Sequence, residues 1–198
     1  VLRSWMRIYH RLRIDGREHL PTTGSFVLVC NHTSHLDHVA LYNATPHFKQ
    51  GIELETHFDY PFYGWFMKAR GTIPVPKDRQ GALEALRIAV RAEVDKGHSI
   101  LGFPEGHRTS TGRVGKFYEG IFRIAIELGV PVVPVAVTGL YDVLHKGSLV
   151  IRPGNVITVF VEQPILTEGL SGGDVGPLRD QVRDVISGRV DTYLVWKA

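Results

Sequence analysis

The sequence predicts an α/β fold in which helices flank a largely parallel mixed sheet, preceded by a short amphipathic N-terminal helix. Two observations predict this fold. Short apolar runs typical of buried strands alternate along the chain with segments in which apolar residues recur every three or four positions, as they do on helices. Such alternation favours βαβ units, whose strands run parallel. The chain of 198 residues suffices for one sizeable core, so we expect a single domain over residues 1–198.

The expected strands are apolar runs bounded by turn residues. Pro134 lies inside one of them and has no backbone N–H, which indicates an edge strand or a bulge at that point. The predicted strands are 26–30, 72–75, 99–103, 132–137, 149–152 and 157–161.

The expected helices have one apolar face and end near a glycine or a polar turn. In the most regular of them Leu83, Leu86 and Val90 fall on one face, and Gly97 follows as a stop signal. The predicted helices are 34–42, 80–96, 118–128 and 177–193.

Residues 1–12 predict a basic amphipathic helix. Arginines repeat at every fourth position, ending at Arg11, while Trp5 and Tyr9 fall on another face. Aromatic side chains beside arginines suit a helix that lies on a membrane surface. The same pattern also suits a surface helix that packs on its own core, and both interpretations stay open at this point.

Composition narrows the classes of partner and compartment. A formal net charge of +3 is too small to indicate nucleic acid, and it is compatible with a weak attraction to anionic lipid. The single cysteine, Cys30, excludes an internal disulfide and favours a reducing compartment. It lies in an apolar run, so we expect a small buried side chain and not a nucleophile. No apolar run reaches the roughly 18 residues needed to cross a bilayer.

A polar turn follows the first predicted strand and opens a helix. It reads Asn31-His32-Thr33-Ser34-His35-Leu36-Asp37-His38. The carboxylate of Asp37 can return across the turn to the imidazole of His32, fix its tautomer and leave the other nitrogen to accept a proton. His32 is therefore a candidate general base with Asp37 as its partner. An alternative role for Asp37 is structural, because Ser34 and Asp37 also fit a helix capping box.

The same turn permits a second interpretation as a zinc site. Metallo-hydrolases of the β-lactamase fold carry His-x-His-x-Asp-His after a strand, and His35, Asp37 and His38 reproduce the second half of that pattern. The spacing from His32 is one residue too long, and the remaining histidines form no obvious second set of ligands. A zinc-dependent hydrolase is therefore the alternative enzyme.

A second polar loop follows a later predicted strand. Its Arg108 offers a planar fork that matches a phosphate, and Gly106 permits a tight turn with close backbone approach. Glu105 could orient either Arg108 or a substrate hydroxyl, although a solvated loop with a surface ion pair is the simpler interpretation for loops in general. Lys77 and Arg79, just past another predicted strand, could supply a second cation.

Together these motifs resemble those of the glycerol-phosphate and lysophosphatidate acyltransferases. His32 with Asp37 resembles the His-x₄-Asp block of that family, and the loop that starts at Phe103 resembles its Phe-Pro-Glu-Gly-Thr-Arg-Ser block. Three further segments resemble the intervening and closing blocks: 71–77, 116–120 and 130–135. The resemblance spans about residues 15–140, and residues 141–198 then supply C-terminal strands and a helix.

The sequence departs from the family pattern at two positions. His107 stands in place of the usual threonine, and Lys77 stands where an arginine is more usual. Lysine keeps the charge but loses the bidentate fork. These departures bear on the choice of head group more than on the type of reaction.

The resemblance implies roles for individual residues. His32 would be the general base, assisted by Asp37. Arg108 and Lys77 would bind the phosphate of the acceptor. Glu105 would shape that phosphate pocket together with its neighbour in the chain, the glycine at position 106.

The resemblance also implies the reaction and its partners. Acyl-CoA or acyl-carrier protein would donate a fatty acyl group to the hydroxyl of a lysophospholipid, with 1-acylglycerol-3-phosphate as the favoured acceptor and phosphatidic acid as the product. No metal and no bound cofactor would be needed. The enzyme would be membrane-associated, at the cytoplasmic face. The alternative outside enzymes is an inactive lipid-binding relative, against which the intact His32 and Asp37 argue.

Overall fold

A sheet of seven strands forms the centre of the described structure, a computed structural model that covers residues 11–47, 49–76 and 81–197. The strands are β1 (Arg11–Asp15), β2 (Val27–Cys30), β3 (Lys49–Leu54), β4 (Ile73–Val75), β5 (Ser99–Gly102), β6 (Val132–Thr138) and β7 (Val156–Val161). The helices are α1 (Asp37–Ala44), α2 (Tyr63–Ala69), α3 (Ala82–Val94), α4 (Gly120–Leu128), α5 (Leu140–Val143) and α6 (Val175–Lys197). No helix of these residues is both long and apolar enough to span a bilayer.

The pairing of the strands brings several loops to one edge. The strand order is β1-β7-β6-β2-β5-β3-β4. The five strands from β6 to β4 run parallel to one another, whereas β7 is antiparallel to β6 and parallel to β1. The loops after β2, β3, β5 and β6 therefore meet at one edge, which we call the carboxyl edge. The loop before β7 lies there too, because Thr138 at the end of β6 pairs with Thr158 near the start of β7.

Helices cover both faces of the sheet. In β2, Val27 and Val29 pack in the cluster that contains α3, α4 and α6, whereas Leu28 and Cys30 pack in the cluster that contains α1 and α5. All four side chains are fully buried. A continuous apolar run is typical of a central strand covered on both faces. Polar chemistry is thereby confined to the edges of the sheet, where strands end.

The predicted α/β class with a mixed, largely parallel sheet is confirmed, although β1, β3 and α2 were not predicted. β3 begins with Lys49, Gln50 and Gly51, which do not favour a strand. The Lys49 side chain is fully buried, and its ammonium donates to the carbonyls of Thr45 and His47. Burial lowers the pKa of Lys49 to about 8. Pairing with β5 and β4, and not local apolarity, makes this segment a strand.

Two predicted elements are wrong. The segment 149–152 forms an irregular loop between α5 and β7, since Leu149 is 98% exposed and pairs with none of the described strands. The predicted helix over residues 1–12 is wrong at its end, because Arg11 and Leu12 belong to β1. The rest of that helix lies outside the described residues.

Pro134 was predicted to mark an edge strand or a bulge, and the edge strand is wrong because Pro134 lies inside the sheet. It occupies β6, between β2 and β7, in register with Val29. The ladder from β6 to β7 includes Val135, and the carbonyl of Pro134 accepts a hydrogen bond from Glu162, one residue past the end of β7. The missing N–H therefore falls in the last pair between β6 and β7, where Glu162 still donates to Pro134 but Pro134 cannot donate in return.

Candidate active site

A single carboxylate orders the turn after β2. Asp37 is fully buried at the start of α1. Its Oδ2 accepts hydrogen bonds from His32 Nδ1 at 2.8 Å and from the backbone N–H groups of Thr33 at 2.7 Å and Ser34 at 2.9 Å. Its Oδ1 accepts from the Thr33 hydroxyl at 2.9 Å. Because a carboxylate only accepts, Nδ1 of His32 carries the proton and Nε2 presents a lone pair.

Asp37 combines the two roles that the sequence left open. It accepts the N–H of Ser34, as an acidic residue in a capping box does. The reciprocal bond does not form, because the Ser34 hydroxyl accepts from Leu36, which is the N-cap residue of α1. One side chain therefore both holds the turn and orients the imidazole of His32.

Aromatic rings fix the plane of the imidazole. His32 stacks on Phe103, with ring centroids 4.1 Å apart and an interplanar angle of 21°. His38 meets the same phenyl ring edge-on at 5.1 Å. Burial lowers the pKa of His38, which favours its neutral form beside His32. The His32 side chain remains 19% exposed, so a substrate can reach it from the carboxyl edge.

The loop after β5 holds the backbone of His32. Oε1 of Glu105 accepts the His32 N–H at 2.8 Å, and the Thr109 N–H donates to the His32 carbonyl at 2.8 Å. Oε2 of Glu105 accepts the N–H of Gly115 at 2.8 Å. Burial raises the pKa of Glu105, while the two backbone donors favour its charged form. Both carboxylate oxygens thus engage backbone donors and not Arg108, and Glu105 joins the two polar loops.

Two glycines allow this loop to close. Gly106 has a φ of +71°, and a Cβ there would lie 3.1 Å from the ring of Tyr118. A Cβ on Gly115 would lie 2.9 Å from Oε2 of Glu105. A residue without a side chain is needed at both close approaches. Gly106 thereby sets the path of the chain between Glu105 and Arg108.

Arg108 lies half-buried in the same loop, without a hydrogen bond or ion pair to any residue within the described ranges. Its charge acts on two neighbours. The pKa of His35 is lowered by burial and then by Arg108, and Arg108 opposes the rise in the pKa of Tyr63 that burial causes. The guanidinium therefore lies between the turn before α1 and the start of α2. A half-buried guanidinium without a protein partner is suited to bind an anion.

The predicted second cation is not placed by the structure. Lys77 and Arg79 both lie outside the described residues. The roles predicted for Lys77, Arg108 and the other site residues therefore stay predictions.

The part of the chain that the structure describes contains no group of three or more His, Cys, Asp or Glu side chains that could hold a metal ion. The zinc interpretation needs Asp37 as a ligand. Both oxygens of Asp37 already accept hydrogen bonds from the turn. The geometry of this turn therefore favours an oriented base over a metal centre.

Cys30 is buried, as predicted. Its side chain is fully inaccessible, and burial raises the pKa of the thiol well above its ordinary value. A buried thiol of raised pKa yields little thiolate near neutral pH, so it is unsuited to be a nucleophile.

Two residues that shape the site were not singled out from the sequence for that purpose. The Asn31 side chain donates from Nδ2 to the carbonyl of Val137 at 2.9 Å and accepts the Val137 N–H at Oδ1, at 2.8 Å. It ties the end of β2 to β6 next to His32. Phe103 supplies the ring on which His32 stacks. The available signal was their position, since Asn31 directly follows the predicted strand 26–30 and Phe103 is the last residue of the predicted strand 99–103.

The α/β sheet with a paired histidine and aspartate at its carboxyl edge defines a class of protein. Comparison with known proteins identifies the family. A family model described as Acyltransferase matches residues 11–138, well over half of the chain. The chain belongs to this Acyltransferase family.

Two related sequences show which members of the family the chain is similar to. The chain is 33% identical over 193 residues to a chloroplastic 1-acyl-sn-glycerol-3-phosphate acyltransferase of Brassica napus, covering 94% of this chain and 54% of the relative. It is 28% identical to the mouse 1-acyl-sn-glycerol-3-phosphate acyltransferase alpha, covering 87% of this chain and 61% of that protein. The chain thus spans about half the length of the first of these relatives.

A solved structure resembles the fold. The crystal structure of the 1-acyl-sn-glycerophosphate acyltransferase PlsC from Thermotoga maritima superposes with a TM-score of 0.77 at 26% sequence identity. The match covers 96% of this chain and 74% of that one. The described strands and helices therefore agree with the experimental architecture of a family member.

Proposed function

We propose that the protein moves a fatty acyl group from acyl-CoA or acyl-carrier protein to the hydroxyl of a lysophospholipid, with 1-acylglycerol-3-phosphate as the favoured acceptor. The observation that carries the proposal is the oriented pair His32–Asp37 at the same edge as the guanidinium of Arg108, which has no partner among the residues the structure describes. A proton acceptor and an anion site side by side suit a substrate that has both a hydroxyl and a phosphate. The names of the relatives from Brassica napus and Thermotoga maritima support the same acceptor.

The reaction can proceed by direct transfer. Nε2 of His32 accepts the proton of the acceptor hydroxyl as its oxygen attacks the carbonyl carbon of the thioester. Asp37 stabilises the imidazolium that results. The tetrahedral intermediate then collapses, the C–S bond breaks, and the imidazolium returns the proton to the leaving thiolate. The products are an ester and a free thiol, and Cys30 takes no part because its thiol is buried.

Arg108 binds the acceptor phosphate in this proposal, with Lys77 as the second cation. The planar guanidinium can donate to two phosphate oxygens at once. Glu105 and Gly106 shape the pocket by fixing the loop that carries Arg108 to the turn that carries His32. The phosphate then sets the distance between the glycerol hydroxyl and Nε2.

The proposal needs no metal and no bound cofactor, since the acyl thioester is a co-substrate. It places the protein at a membrane surface, on the cytoplasmic face, because a lysophospholipid with a long acyl chain resides in the bilayer. The basic, aromatic segment at the N-terminus is one proposed contact with that surface, and it lies outside the described residues.

A substrate panel tests the function. The protein is incubated with an acyl donor, either acyl-CoA or acylated acyl-carrier protein. The acceptor is lysophosphatidate, another lysolipid or glycerol 3-phosphate, and the release of free thiol is measured. We expect thiol release that requires lysophosphatidate and matches the phosphatidic acid formed. Thiol release at the same rate without any acceptor would favour a hydrolase, and binding of lysolipid without thiol release would favour the inactive relative.

A further inference from the structure

The loop between α5 and β7, residues 144–155, is here called the aliphatic loop. It lies at the carboxyl edge, because it starts after the helix that follows β6 and ends where β7 begins antiparallel to β6. The phenol of Tyr141 in α5 donates to the carbonyl of Ser110 at 2.6 Å, which connects this region to the loop of Arg108. The aliphatic loop therefore lies on the same edge of the sheet as the candidate active site.

Three consecutive aliphatic side chains project from this loop. Leu149 is 98% exposed, Val150 67% and Ile151 45%. The loop is closed at its base by a 2.9 Å hydrogen bond from the Arg152 N–H to the Val143 carbonyl, and the Ser148 hydroxyl bonds to both backbone groups of Val150. The apolar tip is thus presented to the outside by a bonded loop. Adjacent exposed aliphatic residues are unfavourable in water and mark interaction surfaces.

The charge of the aliphatic loop identifies the kind of surface that fits it. Lys146 and Arg152 flank the apolar tip, both are exposed, and neither forms a side-chain hydrogen bond or ion pair within the described part of the chain. The loop contains no Asp or Glu. Aliphatic side chains between cations match the boundary between acyl chains and anionic phosphates of a bilayer.

The opposite side of the site carries a second apolar group. The segment after β3 begins at the carboxyl edge, and in it Phe62 is 89% exposed and Trp65 73% exposed. Tyr63, between them, hydrogen-bonds Glu53 at the end of β3, which holds this group against the sheet. Exposed apolar side chains therefore stand on both sides of His32.

We propose that the aliphatic loop inserts into the interface of an anionic bilayer and holds the carboxyl edge of the sheet against it. Leu149, Val150 and Ile151 enter the acyl boundary, while Lys146 and Arg152 contact lipid phosphates. This docking rests on the proposed function in one respect only, that the acceptor delivered to the site is a lipid. The contact itself can be measured without any turnover.

Vesicle sedimentation tests the contact. The full chain is mixed with vesicles of phosphatidylcholine and phosphatidylglycerol, and the bound fraction is compared with that of the triple variant Leu149→Ala/Val150→Ala/Ile151→Ala. We expect the variant to partition about tenfold more weakly. The double variant Lys146→Ala/Arg152→Ala should bind about fivefold more weakly per cation lost, and its binding should depend less on salt.

Leu166 provides a matched control. It is 71% exposed but follows Ile165, which bridges Val132 at the start of β6, on the opposite edge of the sheet. Leu166→Ala should bind vesicles like the unaltered protein. Equal binding by the triple variant and the unaltered protein would overturn the proposal, as would equal losses in the triple variant and in Leu166→Ala.

A probe at the tip reports insertion directly. The variants Leu149→Cys and Leu166→Cys are labelled with a polarity-sensitive fluorophore, since Cys30 is buried and does not compete. We expect a blue shift on addition of vesicles for the label at position 149 alone. A blue shift that rises with protein concentration in the absence of vesicles would show self-association through the loop and overturn the proposal.

Activity measurements separate this proposal from the proposed function. With a short-chain lysophosphatidate that is monomeric in solution, the triple variant should keep the unaltered rate, whereas transfer to a vesicle-embedded acceptor should fall. Equal loss with both acceptors would show that the loop serves the site and not the bilayer. If the unaltered protein transfers to no acceptor, the proposed function fails, while sedimentation and the probe still decide the docking.

Discussion

The two polar loops at the carboxyl edge differ in how completely their side chains are bonded. In the turn after β2, Asp37 accepts four hydrogen bonds, and its neighbour His32 keeps only Nε2 unused. In the loop after β5, Glu105 accepts two hydrogen bonds, one at each carboxylate oxygen, but Arg108 has no partner among the described residues. The imidazole of His32 is therefore oriented by the protein itself, whereas no described residue holds the guanidinium of Arg108.

This difference predicts how kinetic effects divide. A loss in the turn removes an oriented proton acceptor and should lower kcat. A loss at Arg108 removes a binding contact and should raise the KM of the acceptor. The predictions below test this division.

The largest effect is expected from the base. His32→Ala removes the proton acceptor and should lower transfer by about 10²–10⁴-fold while the protein stays folded. Asp37→Asn should be severely impaired as well, because an amide cannot accept from all the donors that hold the turn. Steady-state rates together with thermal unfolding measure both variants.

His35→Ala is the matched control for the base. His35 lies in the same turn but is exposed and has no bond to Asp37. It should change turnover far less than His32→Ala does. A folded His32→Ala protein with near-normal turnover would end the assignment of the base.

The next effect concerns Arg108, which has no partner in the part of the chain that the structure describes. Arg108→Ala and Arg108→Lys should both raise the KM of the lysolipid, because lysine cannot copy the bidentate fork. A lost charge-assisted hydrogen bond is worth about 1.5–3 kcal/mol, or roughly ten- to a hundredfold in binding. The KM of the acyl thioester should change much less.

Arg113→Ala is the control for Arg108. Arg113 belongs to the same loop but is exposed and pairs with Asp191 at 3.3 Å, so its removal should leave the KM of the lysolipid unchanged. A sharp drop in thermal stability of Arg108→Ala with an unchanged KM would show that Arg108 only holds the loop. Arg79 would then be the next candidate for the phosphate.

A smaller effect is expected at the junction of the two loops. Glu105→Gln places an amide NH₂ against one of the two backbone donors, His32 N–H or Gly115 N–H, and leaves that donor without a buried acceptor. The expected cost is about 1–3 kcal/mol in the free energy of unfolding. Because the backbone of His32 shifts, kcat should fall by about tenfold while the KM of the lysolipid changes little. A change in KM alone would instead show that Glu105 touches the substrate.

Local contacts of the site could be predicted from the sequence, and contacts across the sheet could not. His32 and Asp37 are separated by five positions, so a single turn brings them together. Glu105 is separated from His32 by 73 positions. Its bond depends on the adjacency of β2 and β5, which hydrophobic periodicity does not specify.

The errors in the fold have a related cause. The run at 149–152 has the apolar composition of a short strand, but none of the seven described strands pairs with it. β3 has the opposite character, since it starts with Lys49 and Gln50 and is made a strand by its neighbours. Burial and pairing are properties of the assembled sheet, so a short segment cannot reveal them by itself.

The smallest effect is expected from removal of metal, which tests whether the turn around His32 is a base or a zinc site. Nδ1 of His32 already donates to Asp37, and the described residues contain no set of three ligating side chains. Both oxygens of Asp37 accept hydrogen bonds within the turn, so the carboxylate is not available as a zinc ligand. We therefore expect that dialysis against a chelator leaves transfer unchanged and that elemental analysis finds no stoichiometric zinc. About one zinc per chain, with activity that is lost on chelation and restored by zinc alone, would favour the hydrolase. In that case His35→Ala should abolish metal binding. If His32 is instead a base without metal, His35→Ala should change turnover far less than His32→Ala does.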